Sequence, residues 1–168
     1  RDSSLTDDLT KIPNRKYFFE RASRELIFKE NYKSCFNLLL IDIDNFKSIN
    51  NNLGHQAGDK LLQNVASEIR NNTRSTDIIA RLGGDEFVVV FIGVSNEIVA
   101  KLTKKLHTKL NELFKNEYPG ITCSIGVAVC TEKTATLTDL FKEADDAMYS
   151  AKKAGKNQIF TTDQTEHS

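Results

Sequence analysis

Residues 77–92 read DIIARLGGDEFVVVFI, and the fold class follows from the hairpin that they predict. Two runs rich in β-branched and aromatic residues flank the pair Gly83-Gly84. Two glycines between such runs are a strong short-range signal for a β-hairpin, because glycine readily adopts the left-handed backbone of tight turns. The stretch therefore predicts two antiparallel strands, with Asp85 and Glu86 directly after the turn.

The rest of the chain alternates between helix and strand patterns around this hairpin. An apolar run at 36–41 predicts a central strand that is buried on both faces and ends at Asp42-Ile43-Asp44. Elsewhere, apolar residues recur at helical spacing. In chain order, the predicted elements are a helix from 13 to about 31, the strand at 36–41, a helix at 59–70, the hairpin strands at 77–82 and 86–92, a helix at 98–113, a strand at 121–130, a helix at 140–151 capped by Gly155, and a short strand at 159–160.

The order of the predicted helices and strands restricts the possible fold classes. A hairpin inside an otherwise alternating order implies a mixed sheet with helices packed against it. We therefore expect an α+β fold, an α/β sandwich with a mixed, mostly antiparallel central sheet. The 168 residues suit one globular domain, which we place at 13–161 between an N-terminal extension at 1–12 and a tail at 162–168. A chain that starts at Arg1 without methionine is expected to continue from a longer protein.

Charge and composition limit the partners. Lys+Arg and Asp+Glu both number 23, so the chain lacks the basic excess typical of proteins that bind a nucleic-acid polymer. A few well-placed cations would still suffice for a nucleotide. The sequence has no signal peptide and no apolar run of membrane-spanning length, so we expect a cytoplasmic domain without direct membrane insertion. Cys35, Cys123 and Cys130 are odd in number and suit no zinc site, which favours buried, reduced thiols.

Three acidic residues are candidates for metal binding. Asp42 follows a buried strand, and Asp85 and Glu86 follow the hairpin turn. If the hairpin lies beside the central strand, these carboxylates converge at one edge of the sheet and need a cation to offset their repulsion. Mg²⁺ prefers one or two carboxylates together with water and phosphate oxygens. The alternative is a solvated turn, in which Asp and Gly are common.

A phosphate-binding site in this chain would have to be formed without the common phosphate-binding motifs. Neither a Walker A pattern nor a Rossmann fingerprint occurs. The stretch from Asp42 to Lys47 nevertheless supplies an acid, a turn with free backbone amides and a lysine within six residues. Backbone donors and a metal in this arrangement could hold a triphosphate.

Several motifs, in the right order, resemble one known family. The stretch from Arg81 to Phe87 resembles the signature for which GGDEF domains are named. Further matching motifs extend the resemblance over nearly the whole chain: Asp7-Asp8-Leu9-Thr10 with Asn14-Arg15, Asp42-Ile43-Asp44 with Phe46-Lys47, Asn50, Gly54-His55, Gly58-Asp59, Ser124-Ile125-Gly126-Val127, and Ala144-Asp145 through Tyr149, Ala151-Lys152 and Gly155.

The resemblance implies a fold like that of nucleotide cyclases and polymerase palms, and a diguanylate cyclase activity. Such an enzyme joins two GTP into cyclic di-GMP and pyrophosphate, with Mg²⁺ as cofactor and Mn²⁺ as an alternative ion. By resemblance, the metals are coordinated by Asp42, the backbone carbonyl of Ile43 and Asp85. Glu86 is implied to be required for activity, and both Asp85 and Glu86 are candidates for the proton acceptor.

The resemblance also implies the substrate contacts. The family's phosphate loop matches Phe46 and Lys47, and its phosphate-binding cations match Lys152 and Lys156, the second of which is commonly arginine. The remaining substrate residues are Asn50 and Asp59 for guanine, His55 as a lining residue, and Gly83 and Gly84 for close approach of the nucleotide. From the residues alone, Asp59 could instead be the N-cap of a helix, His55 structural, and the two lysines a solvated helix end.

Regulation and partners follow from the same resemblance. Arg74 and Asp77 fit the family's RxxD inhibitory site for cyclic di-GMP, although these residues alone would favour a polar loop. Catalysis is expected from a homodimer, because one domain holds one GTP. Two other hypotheses remain open: a catalytically weak receptor for GTP or cyclic di-GMP, and a related cyclase with relaxed base choice.

Overall fold

A computed structural model describes residues 3–32, 36–129 and 136–162 of the chain. A single 3-10 turn, Ser3–Leu5, precedes five helices and five strands in these ranges. They are α1 (Arg15–Tyr32), β1 (Phe36–Asp44), α2 (Phe46–Leu53), α3 (His55–Asn71), β2 (Ile78–Gly83), β3 (Glu86–Ile92), α4 (Asn96–Glu117), β4 (Thr122–Val129), α5 (Leu137–Lys153) and β5 (Ile159–Thr161).

The strands form one sheet in the order β2-β3-β1-β4-β5. All neighbours are antiparallel except β4 and β5, which pair in parallel and are joined by the crossover helix α5. The predicted α+β fold with a mixed, mostly antiparallel sheet is therefore confirmed. The predicted hairpin is also confirmed, because β2 and β3 are consecutive and paired.

Strand β1 lies at the centre and is covered on both faces. Leu39 and Ile41 pack into a core with α3 and α4, whereas Leu38 and Leu40 pack into a second core with α1 and α5. Successive side chains of a strand alternate between its faces, so a continuous apolar run is what a doubly covered strand requires. The same alternation turns the later side chains at 42 and 44 toward α5.

Helix α5 packs directly against β4. A Cβ atom placed at Gly126 would overlap backbone atoms of Ala144 and Met148, so only glycine permits this approach. The last turn of α5 is thereby brought close to the carboxyl end of β1. Gly155 follows the helix with φ 125°, which confirms its predicted place at the helix end.

The region between β1 and β2 differs from the prediction. Two helices, α2 and α3, replace the single helix predicted at 59–70, and the second begins at His55 after the N-cap Gly54. Asp59 therefore lies inside α3, and its interpretation as an N-cap is wrong. Helix α2 has no periodic apolar pattern, because Ile49 is its only buried residue and one residue makes no period.

Strand β1 is also longer than the strand predicted from the apolar run at 36–41. It continues through Asp44, so Asp42 lies within the strand and not at its end. The strand can continue because the buried Asp44 carboxylate finds hydrogen-bond donors on β4. Runs of consecutive apolar residues do not reveal such paired polar positions.

Two expectations from composition can be examined in part. Cys123 is a buried free thiol, as predicted, whereas Cys35 and Cys130 lie outside the described residues. Within the described ranges, no helix combines the length and the apolar character needed to cross a membrane.

Candidate active site

The structure brings the predicted carboxylates together at the end of β1. In the antiparallel register, Asp42 lies opposite Glu86 on β3. The backbone N–H of Ile43 donates a hydrogen bond to the carbonyl oxygen of Asp85 at 3.2 Å, which fixes the hairpin turn beside β1. The convergence expected from the sequence therefore exists, since neighbouring strands set it through their hydrogen bonds.

The electrostatics of the Asp42 and Asp85 carboxylates favour binding of a cation. Burial raises the pKa of Asp42 to about 6, and the nearby Asp85 carboxylate adds to the rise, while Lys152 opposes it. The Oδ1 atom of Asp42 is buried and accepts no hydrogen bond from any described residue. The pKa of Glu86 is also raised, first by burial and then by the charges of Asp145 and Asp85. The site thus holds more negative charge than its own protein donors neutralise.

One lysine bridges two carboxylates on the same face of β1. The Nζ atom of Lys152, in the last turn of α5, lies 3.0 Å from Asp42 Oδ2 and 3.0 Å from Asp44 Oδ1. Burial alone would lower the pKa of Lys152, but its hydrogen bonds to the two carboxylates outweigh this effect and raise the pKa. Lys152 is therefore a charged group inside the site and not part of a solvated helix end.

Asp44 accepts hydrogen bonds from several parts of the fold, although no sequence motif assigns it a role. Its side chain is fully buried and accepts hydrogen bonds from Thr122 Oγ1 at 2.7 Å, Ser124 Oγ at 2.8 Å and the backbone N–H of Asn157 at 3.1 Å. Burial alone would raise the pKa of Asp44, but these donors and Lys152 outweigh it and hold the pKa below its ordinary value. The available signal was the alternation Asp-Ile-Asp, which places both carboxylates on one face.

An open cavity of about 610 Å³ lies beside these carboxylates. It contains six of the predicted site residues. Its lining comprises Ile43, Asn45, Phe46, Lys47, Ser48, Asp85, Gly120, Lys152 and Lys156.

One end of the cavity has features that favour an anion. Helix α2 begins there at Phe46, directly after the left-handed residue Asn45 with φ 63°. The first amides of a helix have no partner within the helix, and the helix dipole favours anions at this position. The Nζ atom of Lys156 reaches Asn45 Oδ1 at 3.1 Å, which brings a further cation to the same end.

The donor set suits a hard divalent cation. Asp42 and Asp85 carry carboxylate oxygens and Ile43 carries a backbone carbonyl, and Asp42 Oδ1 is buried without a hydrogen-bond donor among the described residues. Ile43 and Asp85 also line the cavity. Across the described ranges, no group of three or more His, Cys, Asp or Glu side chains forms a denser metal cluster. Two carboxylates with room for phosphate oxygens is the arrangement that Mg²⁺ accepts.

The residues expected to bind guanine lie farther along, where α2 meets α3. A Cβ atom at Gly58 would overlap the side chain of Asn50, so this glycine lets the two helices approach. Asn50 is half-buried, whereas His55 and Asp59 are exposed on α3. These three residues do not line the cavity beside the carboxylates.

Arg81 holds the hairpin turn from the N-terminal segment. Gly83 and Gly84 adopt φ values of 145° and 50°, as a tight turn requires. The guanidinium of Arg81 donates to the carbonyl oxygen of Gly84 at 2.8 and 3.0 Å and pairs with Asp7 at 3.1 Å. This contact steadies the turn that carries Asp85, and sequence reasoning had given neither partner a role.

Arg74 and Asp77 form a separate site. Asp77 is buried and receives the guanidinium at 2.6 Å, while Arg74 also donates to the carbonyl oxygen of Ile92 at 2.8 Å. A cavity of about 320 Å³ adjoins this pair and is also lined by Tyr17 and Arg21. The Arg74 side chain remains 55% exposed, so its outer edge is accessible from the cavity.

Comparison with known proteins identifies the family. Residues 4–158 match the family model described as diguanylate cyclase, GGDEF domain. The chain belongs to the GGDEF family.

Relatives and solved structures agree with this assignment. The GGDEF chain is 39% identical over 162 residues to diguanylate cyclase DgcP of Pseudomonas aeruginosa, covering 95% of this chain and 24% of that protein. It is 36% identical over 159 residues to diguanylate cyclase TpbB of the same species, covering 89% of this chain and 35% of that protein. The chain thus spans about a quarter and a third of these relatives.

Two solved GGDEF-family structures share the fold over nearly all of this chain. The GGDEF domain of DgcB from Caulobacter crescentus, solved in complex with c-di-GMP, has a TM-score of 0.89 and 30% identity, covering 97% of this chain and 98% of that one. The active GGEEF domain of a diguanylate cyclase from Vibrio cholerae has a TM-score of 0.82 and 26% identity, covering 89% and 96%.

The raised pKa of Asp42 gives a stability prediction for this GGDEF domain. An acid whose pKa rises from 3.8 to about 6 on folding destabilises the fold as pH climbs through that interval. We expect Asp42→Asn to raise the free energy of unfolding at pH 8 by about 1–3 kcal/mol and to lose this advantage near pH 4. Urea denaturation in the presence of a chelator measures both values.

The matched control is Asp44→Asn, which should act in the opposite direction. The pKa of Asp44 is lowered, so its charged form stabilises the fold above the ordinary pKa and its replacement should destabilise the domain at pH 8. A lower stability of Asp42→Asn than of the unaltered protein at pH 8 would contradict the electrostatic account.

Proposed function

We propose that this chain is the catalytic domain of a diguanylate cyclase, which condenses two GTP into cyclic di-GMP and two pyrophosphates. The observation that carries the proposal is the Asp42–Asp85 pair, because Asp85 lines a cavity that also contains lysines and a helix N-terminus. The named activity of DgcP and TpbB supports it, as does the c-di-GMP complex of the similar DgcB domain.

The cofactor would be Mg²⁺, with Mn²⁺ as an alternative ion. The residues that would hold it are Asp42, the carbonyl of Ile43 and Asp85. When bound, the ion withdraws charge from the phosphates and lowers the pKa of the attacking hydroxyl. The protein's own contribution to the triphosphate is the first turn of α2 together with the ammonium groups of Lys152 and Lys156.

In the proposed reaction, the 3′-oxygen of one GTP attacks the α-phosphorus of the other. A bond forms between these two atoms, the bond from the α-phosphorus to the bridging oxygen breaks, and pyrophosphate leaves. The hydroxyl proton needs an acceptor. Glu86 suits this role, because burial raises its pKa and makes it a stronger base than an ordinary glutamate, whereas Asp85 is assigned to the metal.

Ring closure requires a second nucleotide and therefore a second domain. The Asp85 carboxylate of one chain lines one cavity, and cyclic di-GMP contains two linkages of the same kind. Two domains facing each other would each present a 3′-hydroxyl to the partner's α-phosphate. Catalysis is accordingly proposed to require a homodimer, whose population depends on protein concentration.

Guanine selection is assigned to Asn50 and Asp59. A carboxylate suits the N1–H and exocyclic N–H₂ donors of guanine, which adenine does not present in that arrangement. The receptor alternative is not favoured, because the carboxylates and lysines needed for catalysis are all present. Relaxed base choice remains a distinct outcome of the assay below.

Replacing Asp85 should abolish synthesis without unfolding the domain. We expect Asp85→Asn to lower the rate by about a hundredfold or more, because one of two metal-binding carboxylates is lost. Concentrated protein is incubated with Mg²⁺ and GTP, or with GTP plus ATP, and the products are identified by mass spectrometry.

The control Asp146→Asn makes the same chemical change in an exposed surface pair with Lys142 and should retain the activity. Full synthesis by Asp85→Asn would refute the proposed metal site. A mixed guanine–adenine product would point to relaxed base choice.

Product inhibition is proposed at Arg74 and Asp77. The exposed edge of Arg74 can fork onto the O6 and N7 acceptors of guanine, while Asp77 holds the guanidinium in place. We expect Arg74→Ala to weaken cyclic di-GMP binding by about tenfold or more in calorimetry, since a bidentate contact is lost. Arg24→Ala removes an arginine outside this cavity and serves as the control; equal affinity in both variants would exclude the site.

A further inference from the structure

The turn that follows α5 has a conformation that needs external support. Gly155, Lys156 and Asn157 have φ values of 125°, 64° and 52°, so three consecutive residues lie in the left-handed range. Two of them carry side chains, for which this backbone is costly, and such conformations persist where surrounding contacts hold them. The turn carries Lys156, one of the cations that line the active-site cavity.

Two side chains from distant parts of the chain hold this turn, the buried Asp44 and the half-buried Asn111. The backbone N–H of Asn157 donates to Asp44 Oδ2 at 3.1 Å. The side-chain Oδ1 of Asn157 accepts a hydrogen bond from Asn111 Nδ2 at 2.7 Å. Asp44 belongs to the active-site network, but Asn111 lies on α4, a helix that contributes no residue to the cavity lining.

His107, one turn earlier on α4, orients the Asn111 amide. The His107 Nε2 atom lies 3.1 Å from the carbonyl oxygen of Cys123, which can only accept, so Nε2 carries the proton. The other ring nitrogen is then an acceptor and faces Asn111 Nδ2 at 3.5 Å, a weak contact. Burial lowers the pKa of His107, which agrees with a neutral ring. The Asn111 amino group therefore points its two hydrogens toward His107 and Asn157.

The carbonyl oxygen of the Asn111 side-chain amide lacks a hydrogen-bond donor among the described residues. Asn111 Oδ1 is buried, and no described residue donates a hydrogen bond to it. A buried unpaired oxygen offsets much of the stability that one hydrogen bond supplies. Stability of the fold is thus a weak reason for asparagine at this position, and its main effect is on the turn.

We propose that Asn111 is a positioning residue of the nucleotide site, which fixes the 155–157 turn from α4 so that Lys156 faces the triphosphate. The inference rests on the proposed function for the identity of the ligand. Asn111 itself touches no substrate. The proposed role couples α4 to the active site through one hydrogen bond, from Asn111 to Asn157.

The test replaces Asn111 with leucine, which removes both the donor and the unpaired oxygen at similar volume. We expect the midpoint of urea unfolding to stay the same or rise. Hydrogen exchange at the 155–158 amides should become faster, and a fluorescent non-hydrolysable GTP analogue with Mg²⁺ should bind about tenfold more weakly, the effect of losing one positioning contact. Asn116→Leu, on the exposed end of the same helix, is the matched control and should change none of these values.

A double-mutant cycle separates positioning from a general structural role. Asn157→Gly removes the partner side chain and tolerates the left-handed backbone. If Asn111 acts through Asn157, adding Asn111→Leu to this variant should weaken analogue binding no further. Additive losses would overturn the proposed route through Asn157.

The remaining outcomes distinguish failure of the proposed function from failure of the positioning role of Asn111. Failure of the unaltered protein to bind the analogue would overturn the proposed function. Equal exchange at 155–158, or equal analogue binding, in Asn111→Leu and the unaltered protein would overturn the positioning role alone. A large fall in the unfolding midpoint would show that Asn111 serves the fold and would likewise overturn it.

Discussion

The ammonium group of Lys152 lies between the carboxylates of Asp42 and Asp44, and the rest of the site depends on this contact. The two acids share one face of β1, so they could not both be charged and buried without a cation between them. Lys152 reaches them only because α5 packs against β4 at Gly126. One lysine does not satisfy every oxygen, because Asp42 Oδ1 is buried without a hydrogen-bond donor among the described residues. A divalent cation is proposed to pair with it. The apolar core and the charged site are thus built by the same helix.

Three supports hold the edges of the site. Arg81 and Asp7 fix the hairpin turn, Asp44 fixes the carboxyl end of β1 to β4, and Asn111 holds the turn after α5. None of these side chains except Arg81 belongs to the signature hairpin. A site for a flexible triphosphate needs such support, because its cations act only when their positions are fixed before binding. The proposed cyclase reaction therefore depends on residues well outside the Gly-Gly-Asp-Glu-Phe turn.

Much of this structure could be predicted from local sequence, and the remainder depends on distant pairing. The Gly83-Gly84 turn and the apolar run of β1 predicted the hairpin, the mixed sheet and the meeting of Asp42 with Asp85. Helix α2 was missed because its single buried residue gives no period. The contacts of Asp44 with Ser124 and of Asn111 with Asn157 join residues 80 and 46 positions apart, and no spacing rule connects such positions. Polar groups that pair inside a fold look like solvent-exposed residues until the fold is known.

Metal binding tests whether Asp42 and Asp85 form a cation site for a nucleotide. Mn²⁺ can be titrated into the protein at neutral pH with a non-hydrolysable GTP analogue and followed by electron paramagnetic resonance. The account predicts that Asp42→Asn and Asp85→Asn each weaken Mn²⁺ binding by about tenfold or more, as expected for loss of a ligating carboxylate, while Asp146→Asn binds like the unaltered protein. Equal Mn²⁺ affinity in all four proteins would contradict it.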